Sequence, residues 1–181
     1  MPPAEPFALQ IHAGPRALAR LKQAPLLASD IAAVPAAAGG AKGLTLNPLD
    51  RYLFTQFLGP GAALKPEVHL IGASIGAWRM AIACRSRPDI GFAGLADDYI
   101  GQRYEHLPGR APPARHVSEI FGAKLAERFG GHEGEVLSHP HFRLHVIVAR
   151  GRHLLRRDGR TGSGLTTPLG YLGAFASNAL H

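Results

Sequence analysis

The sequence predicts an α/β fold around a mostly parallel central sheet. Three features predict it. Short apolar runs of strand length alternate with stretches of helical periodicity. Two of those runs, Ile31 to Ala38 and Val68 to Gly72, enter glycine-rich turns that open helices. A third, "HFRLHVIVA", alternates strictly, with Phe142, Leu144, Val146 and Val148 on one side and His141, Arg143, His145 and Ile147 on the other. At least three strands result. The 181 residues suffice for a single domain, residues 1–181, with a sizeable core.

Taken in order, Gly14-Pro15 opens a short helix through Leu18 and Leu21 that Pro25 stops. The first strand follows, with Pro35 arguing against a long one. Gly39-Gly40-Ala41-Lys42-Gly43 is the first glycine loop, and Asn47-Pro48 reads as the cap and first position of a helix. Leu49, Leu53, Phe54 and Phe57 give that helix an apolar face, and Gly59-Pro60-Gly61 ends it. The second strand runs into Gly72-Ala73-Ser74-Ile75-Gly76 and a helix that turns Ile75, Trp78, Ala81 and Ile82 inward. Pro88-Asp89 starts another helix, with Phe92, Leu95, Tyr99 and Ile100 on one side. "GQRYEHLPGRAPPAR" is loop-like after its first turn. Val117, Ile120, Phe121, Leu125 and Phe129 have helical spacing, closed by Gly130-Gly131.

Composition narrows the function classes. Hydrophobic residues make up 46%, which argues against global disorder. The first fifteen residues lack the basic and apolar regions of a secretory signal. No uncharged apolar run reaches the roughly 18–20 residues of a membrane-spanning helix. One cysteine, Cys84, rules out an intramolecular disulfide and suits a cytoplasmic protein. The net charge is +7, concentrated at Arg150, Arg152, Arg156, Arg157 and Arg160. Such a cluster fits a solvated surface loop or peripheral contact with an anionic membrane. No zinc-finger spacing or aromatic RNA-binding pattern points to nucleic acid. His141 and His145 share a strand face but lie roughly 13 Å apart, too far for one metal. Cys84 reads as a small buried hydrophobe, and Trp78 as packing its helix on the sheet. Arg79 reads as a surface charge or as support behind the site.

The chemistry concentrates in the two glycine loops. G-x-S-x-G between a strand and a helix is the pattern of a nucleophile elbow. A serine at so sharp a turn needs small neighbours, here Gly72 and Gly76. The following helix points its N-terminus at the reacting oxygen, and the Ile75 amide can help bind an oxyanion. The Gly39–Gly43 loop lies in the equivalent place after the preceding strand. In a right-handed parallel crossover the two loops emerge side by side at the carboxyl edge of the sheet. It is not a Walker loop, because Lys42 precedes Gly43 rather than Ser or Thr, and it lacks G-x-G-x-x-G.

From Ile31 to Cys84 the sequence resembles the N-terminal half of the patatin-like phospholipases. The resemblance implies a three-layer α/β/α fold, incomplete in this chain. It also implies hydrolysis of lipid acyl esters by a serine–aspartate dyad, with no histidine, cofactor or metal. Against the family's D-G-G-G-x-[RK]-G motif, Gly39, Gly40, Lys42 and Gly43 match, while Ala37 and Ala38 replace the aspartate and first glycine. Ser74 falls on the family's nucleophile, and Gly39, Gly40, Ala41, Lys42 and Gly43, with Ile75, on its oxyanion hole. The family's later D-G-[AG] aspartate has no counterpart, since Asp158-Gly159 is followed by Arg160. Asp89, Asp97 and Asp98 read as capping or solvent-facing residues. The dyad aspartate is therefore expected beyond residue 181, and this chain to be weakly active or inactive alone. Two other functions stay open. One is a Ser-His-Asp esterase using Asp158 and His181; the other is a non-enzymatic domain that binds anionic lipid.

Overall fold

A computed structural model of the protein describes residues 12–103 and 112–150. The elements are helix α1 (Pro15–Gln23), strand β1 (Ala33–Ala36), a 3-10 helix (Gly40–Leu46), α2 (Asn47–Tyr52) with a π-helical extension (Leu53–Phe57), β2 (Val68–Ala73), α3 (Ile75–Ala83), α4 (Pro88–Gly101), α5 (Ala114–Phe129), α6 (Glu133–Leu137) and β3 (Phe142–Ile147). The strands form a three-stranded parallel sheet in the order β1-β2-β3. The α/β class and the parallel sheet are as the sequence predicts.

Strand order decides where the core lies. Right-handed crossovers between strands in consecutive order place both connections on one face. On that face Val68, Leu70, Phe142 and Ala36 are buried. Phe54 joins them, edge-on to Phe142 and stacked on Phe92 of α4. The opposite face carries Ala33, Pro35, His69, Ile71, Arg143, His145 and Ile147, and none of these is buried. There, His69 Nδ1 and His145 Nε2 lie 2.9 Å apart on neighbouring strands. Pro35 is tolerated because β1 pairs only with β2 among the described residues.

Several elements depart from expectation. The first glycine loop is not open coil: it winds at once into the 3-10 helix, which runs straight into α2. Asn47 therefore does not cap. Its side-chain amide instead donates to the Phe92 carbonyl at 2.7 Å, tying the start of α2 to α4. Trp78 packs against the core as expected and also lies edge-on to Phe121 and Phe129 of α5. Ile100 is 78% exposed, because α4 has passed its packing surface by that turn. Helix α6 has too few apolar residues to show as a periodic signal. Glu135 holds it in place by accepting from the Ser86 amide at 2.6 Å and from Arg85 at 3.2 Å. The Ser86 amide, then His132 and Arg85, hold the Glu135 carboxyl down at about 2 against the opposing effect of burial. Cys84 is buried as expected, and desolvation pushes its thiol up to about 12. No helix among the described residues is long and apolar enough to cross a membrane.

One polar contact crosses the core. Arg79 of α3 donates through Nε and a terminal nitrogen to the two oxygens of Asp50 on α2, at 2.5 and 2.7 Å. Both residues are buried. A bidentate geometry satisfies both charges, and removing one partner strands the other in a low-dielectric interior. Asp50→Ala should therefore lower unfolding free energy by about 3–5 kcal/mol in urea titrations. A loss under about 1 kcal/mol would mean that water reaches the guanidinium. Glu135→Gln should destabilise the protein near pH 7 and have a much smaller effect near pH 2, where the carboxyl is about half protonated. A carboxyl with a depressed pKa contributes stability above its unfolded pKa and loses it as pH falls through the folded one. Thermal melts at the two pH values check the sign.

Candidate active site

β2 ends at Ala73 and α3 begins at Ile75, so Ser74 is the whole of the turn between them. Its backbone lies at φ 52°, ψ −125°, and it is the one non-glycine residue at positive φ among the described residues. Such a conformation costs on the order of 1–3 kcal/mol and persists only where the surroundings impose it. The surroundings are two glycines. A Cβ on Gly72 would come within 2.5 Å of the Ala77 backbone. A Cβ on Gly76 would overlap the Ala36 carbonyl on β1. Helix α3 is thus pressed onto the ends of β1 and β2, and the chain must reverse through one residue.

The Ser74 carbonyl accepts from the amides of Ala77 and Trp78 at 2.9 and 3.3 Å. Its side chain makes no capping hydrogen bond to the helix, and the residue is exposed. The hydroxyl therefore stands at the positive end of the α3 dipole without being used to cap it.

The first glycine loop lies beside it. Gly43 is buried, and a Cβ there would sit 2.7 Å from Ile75 Cγ2, so the loop packs on the residue that follows Ser74. Gly40 adopts φ 54°, a left-handed conformation that suits glycine. The Lys42 amide is already engaged with the Gly39 carbonyl at 3.2 Å. The first amides of the 3-10 helix, Gly40 and Ala41, have no partner within it and are its free donors. The structure thus sets Gly72 and Gly76 on either side of Ser74 and packs Gly43 on Ile75, while Gly40 lies near Tyr99 of α4. It leaves the exposed Lys42 side chain pointing to no described partner.

Ser74 opens onto two hollows. One is a cavity of about 320 Å³ with a mixed wall, which includes Ile75, Asp97, Asp98, Tyr99, Lys124 and Arg128. The other is a groove of about 930 Å³ with a wall that is mostly apolar, including Trp78, Phe121, Leu125, Phe129, Leu144 and Val146. In the cavity, Lys124 and Arg128 both reach Asp98. Burial alone would raise the Asp98 carboxyl, but the two cations outweigh it and hold it below the ordinary carboxylate range. Asp97 is exposed and has no ion pair among the described residues.

Comparison of the chain with known protein families, curated proteins and solved structures finds no match. Asp158, His181 and the arginines from Arg152 to Arg160 lie outside the described residues.

Sequence reasoning missed three parts of the site. Asp97 is exposed, as its sequence context suggests, but it and the ion-paired Asp98 also line the cavity beside Ser74. Tyr99 was assigned to the packed side of its helix without a role. Asp50 showed no signal at all, because its partner lies 29 residues away. The strain at Ser74 gives a direct check. Ser74→Gly should raise unfolding free energy by about 1 kcal/mol, the relieved strain less the added flexibility of glycine. Gly76→Ala should destabilise strongly, since the Ala36 backbone cannot give way. Urea midpoints measure both. An unchanged or lower midpoint in Ser74→Gly would mean that the strain at the turn does not exceed the flexibility that glycine adds.

Proposed function

We propose that the protein is a serine acyl-ester hydrolase of the patatin-like kind, with a three-layer α/β/α fold, acting on lipids or other esters of apolar acids. One observation carries this. An exposed serine sits in a strained one-residue turn where a polar cavity and an apolar groove meet. The acyl chain lies in the groove and the scissile carbonyl beside Ser74. The alcohol portion occupies the cavity.

Ser74 Oγ attacks the carbonyl carbon and passes its proton to a carboxylate. The tetrahedral oxyanion takes hydrogen bonds from the amides of Ile75, Gly40 and Ala41, at the positive end of α3. Collapse breaks the C–O bond, and the departing alkoxide takes the proton back from the carboxyl and leaves as the alcohol. The regenerated carboxylate activates the water that hydrolyses the acyl-serine. Asp97 is the candidate proton acceptor, because Asp98 is committed to Lys124 and Arg128. Peripheral contact with an anionic membrane and a cytoplasmic location belong to the same proposal.

The test is hydrolysis of p-nitrophenyl esters from acetate to octanoate. Each methylene buried in the groove is worth about 0.8 kcal/mol, so kcat/KM should rise roughly fourfold per carbon. Ser74→Ala should abolish turnover, and Asp97→Asn should lower kcat by about 10³-fold. Activity retained in Ser74→Ala would refute the proposal, as would an inert but folded wild type. Full activity in Asp97→Asn would place the base outside the described residues.

A further inference from the structure

Among the described residues, Tyr99 is the one side-chain hydroxyl that shares the cavity wall with Ser74. It is half-buried on α4, one turn beyond the buried Leu95 that fixes that helix against the core. Its phenolic oxygen reaches the first glycine loop: a Cβ built on Gly40 would sit 3.6 Å from Tyr99 Oη. That is ordinary contact distance, so the hydroxyl lies against the loop at Gly40. The spacing is held from behind, because Asn47, at the end of the 3-10 helix, donates to the Phe92 carbonyl of α4 at 2.7 Å. That hydrogen bond ties the end of the 3-10 helix to the helix that carries Tyr99.

Resting on the hydrolase proposal, we infer that Tyr99 is a further catalytic residue, whose hydroxyl donates a hydrogen bond to the oxyanion alongside the Gly40 amide. A phenolic O–H is a donor that brings no further cation into the site. The site gains from it because the Lys42 amide of the first glycine loop is bound to the Gly39 carbonyl and is not free to donate to substrate. No proton leaves Tyr99; it strengthens a bond only as charge develops on the substrate oxygen, which lowers the barrier without tightening ground-state binding.

Tyr99→Phe keeps the ring and removes only the hydroxyl. With p-nitrophenyl butyrate, kcat should fall about 10- to 100-fold while KM stays within about twofold. The thermal midpoint should be unchanged, and the second-order rate of phosphonylation by a fluorophosphonate should fall in parallel. Wild-type kcat in Tyr99→Phe, with Ser74→Ala inactive, would overturn the role of Tyr99 and leave the hydrolase standing. A rise in KM with kcat unchanged would overturn it too, since that marks a ground-state contact. A folded wild type that turns over no ester would overturn both.

Discussion

The close approach of α3 to the ends of β1 and β2 is the constraint on which the rest of the molecule depends. Gly72 and Gly76 permit it, and no larger residue fits at either position. Because the helix comes so near, the chain has one residue in which to turn, and Ser74 takes a backbone conformation that L-residues avoid. The same approach brings Ile75 onto Gly43, which fixes the first glycine loop beside the serine. Arg79, further along the same helix, then locks α3 to α2 through Asp50. A strained turn needs such rigid support, since a looser helix would relax the strain by moving away.

The site divides by chemistry because its walls come from different elements. The apolar wall comes from α3, α5 and the exposed end of β3, where Val146 is 52% exposed. The polar wall comes from α4 and from Lys124 and Arg128 of α5. Helix α5 contributes to both, with Phe121 and Trp78 at the divide. An amphiphilic ester matches that division better than a wholly polar substrate does.

Much of this was legible in the sequence. G-x-S-x-G between a strand and a helix located the turn, and local steric rules were enough to say why both flanking residues are glycines. The glycine loop was placed correctly beside it by the geometry of parallel crossovers. Contacts between distant elements were not legible. Arg79 reads as a surface charge or as support behind the site, Asp50 carries no signal, and only tertiary packing makes them a buried pair. Tyr99 looked like one more apolar position on α4. Asn47 carried a strong capping signal, but the 3-10 helix runs on through the place where a cap would stand. Local propensity gave way there to a hydrogen bond with a carbonyl 45 residues away. The sheet has one packed face among the described residues, which the count of strands did not foretell.

The central claim is that the turn at Ser74 presents an activated nucleophile. Its most direct test is intact-mass spectrometry of the full chain after exposure to a fluorophosphonate, followed by peptide mapping. The account predicts a single phosphonyl adduct on the peptide that contains Ser74, with none on heat-unfolded protein. Folded protein that stays unmodified, or that is modified at another residue, would contradict it.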